Sequence, residues 1–223
     1  MANFKEVDMK NWSRRDTFLY FTRIMPSVYT LTVETDVTEL VKYHKESGIS
    51  FFAMCLWLIS KAVNEVPSLR YGYEEKVKLV QYDEIIPVFP IFHKDTENCT
   101  MICTDTAQKF SDFYEEFNTM IEKVRVERKF FTSKYPHAPA NTFNLSVEPR
   151  VHFTGFSLMH PIGERPMLRP IIELGKYKEI DGKLFMPFAF QEHHACADGF
   201  HVGAFFDKVN AYFENPQKYI MEK

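Results

Sequence analysis

The stretch that most limits the fold is ISFFAMCLWLIS, residues 49–60. It is apolar almost throughout, yet well short of the about 20 residues that a helix needs to cross a bilayer. The pattern predicts a buried helix from Phe51 to about Val66, stopped by Pro67. The chain can surround such a helix: 45% of its 223 residues are hydrophobic, and 22 are Phe. That length fits one domain, residues 1–223.

Other bulk properties narrow the function classes. A net charge of −3 gives no basis for binding nucleic acid or an anionic membrane. The opening MANFKEVDMKNWSRRD is charged and has no apolar h-region, so no signal peptide is expected. Cys55, Cys99, Cys103 and Cys196 include no CxxC pair, and Cys99 and Cys103 lack partners at zinc-site spacing. Reduced thiols in the cytoplasm, with no metal, are the expectation.

The remaining pattern alternates between the two periods. Ser13 with Asp16 predicts a capped helix through about Ile24, and residues 29–33 read as a half-buried strand. A short helix from Asp36 should close at Gly48. Residues 70–82 suggest a hairpin around Glu74–Lys76, and IIPVFPIF (85–92) an irregular or edge strand. Residues 111–131 carry the longest helical pattern, with Phe113, Phe117, Met120, Ile121 and Val124 on one face. Loops are expected at 134–142 and 160–170, and strands at 143–149 and 151–158. Asp181-Gly182 predicts a hairpin joining IIELGKYKEI to KLFMPFAFQEHH, followed by a helix over about 199–213. Strands and helices do not alternate as βαβ units, so the expected class is α+β with a mixed sheet.

The chemistry concentrates in QEHHACADGFHV, residues 191–202. Three readings compete. Adjacent histidines on a strand point to opposite faces, which disfavours a shared metal, and no HExxH partner exists. Packing at a sheet surface is the plain alternative. The third is a general base: a His held at a strand end, with Asp198 at the start of the next helix and Gly199 permitting a tight turn. No GxSxG elbow is present, so a hydrolase triad does not fit.

HHxxxDG resembles the signature of CoA-dependent acyltransferases. NWSRRDTF (11–18), NLS (144–146), P-x-V-x-F (149–153), PII-x-x-GKY (170–177), MPFAFQ-x-HH (186–194) and DGFHVG (198–203) are similar, in order and spacing, to the chloramphenicol acetyltransferase family. The resemblance spans almost the whole chain. It implies a two-layer α+β sandwich with a mixed sheet covered by helices. The implied reaction moves an acetyl group from acetyl-CoA to an acceptor hydroxyl, with chloramphenicol the foremost acceptor. The alternatives are a related acyltransferase with another acceptor, or a non-catalytic ligand-binding trimer.

Roles follow by resemblance. His194 matches the base and Ser146 the oxyanion donor, with Asn144 supporting the same region. Asp198 matches the partner of a first-helix arginine, here Arg14, while His193 is structural and His201 has no assigned chemistry. Tyr177, Lys176, Phe52 and Arg150 fall where the family contacts CoA, its co-substrate, with no permanently bound cofactor. Phe21, Met25, Cys99, Phe156 and Leu158 fall in the acceptor pocket. The family is homotrimeric, with active sites between subunits. Glu173 replaces a threonine and Glu192 an apolar residue. Either carboxylate could raise the pKa of His194 or attract a cationic acceptor, and strand alternation puts Glu192 on the face of His194.

Overall fold

The computed structural model describes residues 2–75, 77–133, 139–158 and 166–221. Parts of the expected loops at 134–142 and 160–170, and Lys76 of the expected hairpin, lie outside them. The chain runs β1 (Phe4–Glu6), α1 (Arg15–Leu19), a π-helical turn (Tyr20–Ile24), β2 (Val28–Asp36), α2 (Thr38–Ser47), α3 (Phe51–Asn64), and a 3-10 turn (Pro67–Arg70). Then come β3 (Tyr71–Glu74), β4 (Lys78–Tyr82), β5 (Ile86–His93), β6 (Asn98–Cys103), α4 (Phe110–Glu127) and β7 (Phe131–Ser133). The last third holds β8 (Thr142–Glu148), β9 (Ile171–Gly175), β10 (Lys178–Ile180), β11 (Lys183–His193), α5 (Gly199–Glu214) and α6 (Pro216–Ile220).

Local chemistry sets several boundaries. Ser50 caps α3, its side chain accepting from Ala53 N, a contact worth about 1 kcal/mol. Gly48 closes α2 in the left-handed region. Asp181 and Gly182 both take positive φ, as a two-residue hairpin of this hand requires. The apolar run behaves as its composition predicts: α3 buries residues from Ala53 to Val63, each fully buried Leu or Ile contributing about 1.5–3 kcal/mol.

β1, β4 and β3 form a small antiparallel sheet. The main sheet has eight strands. β11 pairs with β2 on one side and with β9 and β10 on the other, and the order continues β9, β8, β5, β6, β7. Three pairings are parallel, β5–β8, β8–β9 and β6–β7, so the sheet is mixed as expected. Residues from α2, α3, α4 and α5 pack with the sheet into one continuous core.

Several expectations need correction. No capping box forms at Ser13: Arg14 is the N-cap of α1, and its guanidinium, which has donors only, makes no cap bond to the helix N–H groups and turns instead to Asp198. The first helix changes to π-helical form at Tyr20. β5 is neither irregular nor an edge strand, yet each proline sits where only one neighbour pairs: Pro87 faces β8 alone and Pro90 faces β6 alone. The missing N–H therefore leaves no ladder acceptor wanting. The helix over 111–131 ends at Glu127, with Arg128 in the left-handed region, and 131–133 join the sheet. Residues 151–158 are not a strand. Both edges of β9 are already taken, so this segment crosses the sheet face, bonding through Lys176 N to Val151 O (2.8 Å). It lies so close that a Cβ on Gly175 would meet Phe153, Pro187 and the Val151 carbonyl within about 3.0 Å.

Candidate active site

The ladder between β11 and β2 ends at His193 opposite Val28, and one more bond, His194 N to Ser27 O (2.9 Å), carries it onto the next residue. The chain then turns tightly. The imidazole of His193, 1% exposed, accepts from Ala195 N (3.2 Å), and its carbonyl accepts from Cys196 N (3.0 Å). Ala195, Cys196 and Ala197 are wholly buried, so only small side chains fit the turn. Asp198 caps α5 by accepting from Phe200 N (3.2 Å), and His201 Nδ1 lies 2.8 Å from the same oxygen. Gly199 does not serve the tight turn: its φ is not positive and nothing crowds it, as befits the first residue of a helix.

Arg14 holds this turn from outside. Its Nη1 donates to Asp198 Oδ2 (3.0 Å), Nε to Ala195 O (2.8 Å) and Nη2 to His194 O (3.0 Å). The guanidinium reaches the three acceptors from three separate nitrogens, a span that an ammonium, whose donors all sit on one atom, cannot match. Burial opposes ionisation of Asp198, but Arg14 and His201 outweigh it and hold its carboxyl below the usual range.

The His194 ring stacks on Phe21, with centroids 4.0 Å apart and planes at 15°, and meets Tyr29 edge-on at 5.1 Å. Its Nδ1 lies 3.3 Å from the Ala197 carbonyl. A carbonyl can only accept, so this contact assigns the proton to Nδ1 and leaves a lone pair on Nε2. Phe21 reaches the ring from the π-helical turn, which ends at the exposed Met25. Glu192 is 1% exposed. One oxygen accepts from His193 N (3.1 Å) and the other has no hydrogen-bond partner among the described residues. Burial pushes its carboxyl well above the ordinary value, and the hydroxyl of the half-buried Tyr29 is pushed up by desolvation first and then by Glu192 and Asp198.

A second group sits on β8 and β9. Ser146 and Glu173 are register partners across the parallel pair. Past Val88 and Asn144 the ladder between β5 and β8 stops, so residues 145–148 have a strand neighbour only at β9. Glu173 is 9% exposed. Burial, with help from Glu148, raises its carboxyl to about 7 against the opposing effect of the neighbouring Ser146 hydroxyl. Cys99, exposed on β6, lies across β5 from this group. One chain does not unite the two groups: Glu173 is opposite Ala189, five residues before His194, or roughly 17 Å of strand.

Phe52, Lys176 and Tyr177 line one cavity of about 120 Å³, together with Val147, Pro149 and Met186. Arg150 is not among its lining residues; it is exposed and 3.6 Å from Glu148. Phe156 and Leu158 line a separate groove of about 910 Å³ beside Ser27, Thr30 and Gln191. Gln191 Oε1 accepts from Leu158 N and Thr30 Oγ1, both at 3.2 Å. Among the described residues no group of three His, Cys, Asp or Glu side chains is set to hold a metal. No helix among them is long and apolar enough to cross a membrane.

Sequence reasoning missed Tyr29 and His201. Tyr29 reads as one apolar position of a strand, and only its register against Glu192 carries it to His194. His201 had a local signal, three residues after a capping aspartate.

Comparison with known proteins adds a family context. The family model described as Chloramphenicol acetyltransferase matches residues 2–210. A chloramphenicol acetyltransferase from Clostridium perfringens is 30% identical over 220 residues, covering 99% of both chains. A solved structure of a chloramphenicol acetyltransferase superposes with a TM-score of 0.84 at 25% identity, covering 95% of this chain and 100% of that one. A probable dihydrolipoamide acetyltransferase from Listeria monocytogenes shares the fold, with a TM-score of 0.61 at 18% identity over 98% of this chain and 97% of that one.

Proposed function

The chain belongs to the chloramphenicol acetyltransferase family, and we propose that it transfers the acetyl group of acetyl-CoA to a hydroxyl of chloramphenicol. The observation that carries this reading is the state of His194, whose Nδ1 is occupied by the Ala197 carbonyl while the backbone around it is clamped by Arg14. Nε2 is then a fixed base. It takes the acceptor's hydroxyl proton as that oxygen attacks the thioester carbon. A tetrahedral oxyanion forms, collapses, and expels the CoA thiolate, which receives the proton back from Nε2. No acyl-enzyme is needed, and alignment of the two substrates supplies much of the acceleration.

Ser146 donates to the oxyanion, with Asn144 supporting its strand. Asp198 and Arg14 position the turn and do not exchange protons with substrate. Phe52, Lys176 and Tyr177 hold the pantetheine end of CoA at their shared cavity, and Arg150 serves a CoA phosphate near its mouth. Phe21, Met25, Cys99, Phe156 and Leu158 border the acceptor.

This reading requires a second copy of the chain. His194 with Phe21 and Met25 forms one half of the site, and Ser146 with Asn144 and Cys99 forms the other, too far apart within one chain. A homotrimer in which His194 of one copy faces Ser146 of the next closes the gap. The outer edge of β2, unpaired among the described residues, supports such an assembly, since a long exposed edge calls for cover. We place this single-domain enzyme, residues 1–223, in the cytoplasm, where thiols such as the exposed Cys99 stay reduced.

The test is CoA-thiol release from acetyl-CoA with varied chloramphenicol, on wild type and His194→Ala. Saturable release that is lost in the variant is expected. Release at the no-acceptor background in wild type would remove chloramphenicol as the acceptor, and a panel of other alcohols and amines would then separate another acyltransferase from a binding protein.

A further inference from the structure

Ser146 has a single O–H, and its immediate neighbour across the ladder is a carboxyl buried to 9% exposure, on which the hydroxyl acts to favour ionisation. The direction of a bond between the two matters. An ionised carboxylate can only accept, so it takes the serine proton and leaves Oγ with lone pairs alone. A protonated carboxyl can instead donate to Oγ, which frees the serine proton to point at a third group. Two donors in series also polarise one another, strengthening the outer bond.

We propose that Glu173 is a positioning residue for Ser146: protonated, it donates to Oγ and turns the serine proton toward the oxyanion, and ionised, it withdraws that proton from the site. The inference rests on the proposed acetyl transfer and deepens it, because it makes the oxyanion donor conditional on the state of a neighbour. The surroundings suit the protonated form. Its neighbours on the same face of the sheet are Ser146 on β8 and the buried Ala189 on β11. The charged neighbour that acts on it is Glu148, two residues beyond Ser146 on β8, which is itself approached by Arg150. No cation is paired with Glu173 among the described residues, so it is the Ser146 hydroxyl, and no charge, that opposes burial and the like charge of Glu148. These conditions raise the carboxyl to about 7, which puts the switch within the working range of an imidazole base.

The experiment has two arms. In the first, kcat/KM for acetyl transfer is followed from pH 5.5 to 9 in wild type, Glu173→Gln, Glu173→Ala and Ser146→Ala. Wild type should lose activity on the alkaline side, by about tenfold per pH unit until a donor's worth of about 10²–10³ is gone. Both neutral variants should lose that alkaline limb, and the glutamine, whose amide still donates to Oγ, should retain the wild-type maximum. Ser146→Ala should be slow at every pH. An alkaline limb that persists in Glu173→Gln, or its absence from wild type, overturns the proposal. The second arm needs no turnover: carboxyl-carbon NMR of Glu173 in wild type and Ser146→Ala. A midpoint near neutrality that rises when Ser146 is removed is expected, and an ordinary carboxylate midpoint insensitive to Ser146 overturns the coupling. Wild type that titrates as expected but transfers acetyl to no acceptor would sink the functional reading alone.

Discussion

The rings of Phe21 and His194 lie face to face, 4.0 Å between centroids and 15° between planes. They come from opposite ends of the sequence, Phe21 from the π-helical turn that follows α1 and His194 from the turn that follows β11. Such wide turns recur at functional sites because they redirect a side chain without breaking the helix. Phe21→Ala removes the wall against which the imidazole is set. An aromatic pair is worth about 0.5–1.5 kcal/mol, so kcat should fall about 2- to 12-fold, while Tm stays near wild type because Phe21 is only half buried. Phe21→Tyr keeps the stack and should restore kcat. Loss of Tm equal to that of a core deletion would instead make Phe21 a stability residue.

Arg14 and Asp198 should separate by chemistry. Arg14→Ala strands the carbonyls of His194 and Ala195 and the Asp198 carboxylate, and urea unfolding should show a loss of about 2–4 kcal/mol. Arg14→Lys cannot serve all three acceptors and should recover little of kcat. Asp198→Asn loses the ion pair but keeps a capping side chain, whereas Asp198→Ala loses both. The alanine variant should therefore be less stable than the asparagine variant by about 0.5–2 kcal/mol.

The buried carboxyl of Glu192 gives stability a pH dependence of known sign. Its folded-state pKa lies well above 4.5 because burial penalises the charge. Between 4.5 and that raised value the folded chain holds a proton that the unfolded chain has released, so stability falls as pH rises, by up to about 1.4 kcal/mol per pH unit. Glu192→Gln removes the titration. The difference in urea midpoint between variant and wild type, at fixed protein concentration, should grow in favour of glutamine from pH 4.5 upward. A difference that does not change with pH would mean that Glu192 is solvated or paired in the native state.

The proposed division of the site between copies predicts complementation. His194→Ala and Ser146→Ala should each be nearly inactive alone. When the two are unfolded together and refolded as mixed oligomers, roughly one site in four receives an intact histidine from one copy and an intact serine from its neighbour. About a quarter of wild-type activity is expected. Activity no higher than the sum of the two variants would place both residues in one chain.

The sequence alone determined what depends on neighbours along the chain. The apolar run at 49–60 with Pro67 after it specified α3, Gly48 specified the end of α2, and Asp181-Gly182 specified the hairpin into β11. Capping, backbone conformation and period are local properties, so they can be read locally. The motif HHACADG likewise announced a strand end, a turn and a helix start in that order. Tertiary structure decided the rest. Residues 151–158 have the alternation of a strand, but β9, whose end they cross, is already paired on both edges, and no local pattern encodes an occupied edge. The turn to π geometry at Tyr20, the Arg14 guanidinium spent on carbonyls 180 and 181 positions away, and the pairing of Glu173 with Ser146 all depend on which strands lie side by side and in what register. Register is set by the burial of the whole sheet, not by the residues that end up facing one another, and so the partners of a catalytic group become visible only when the chain is folded.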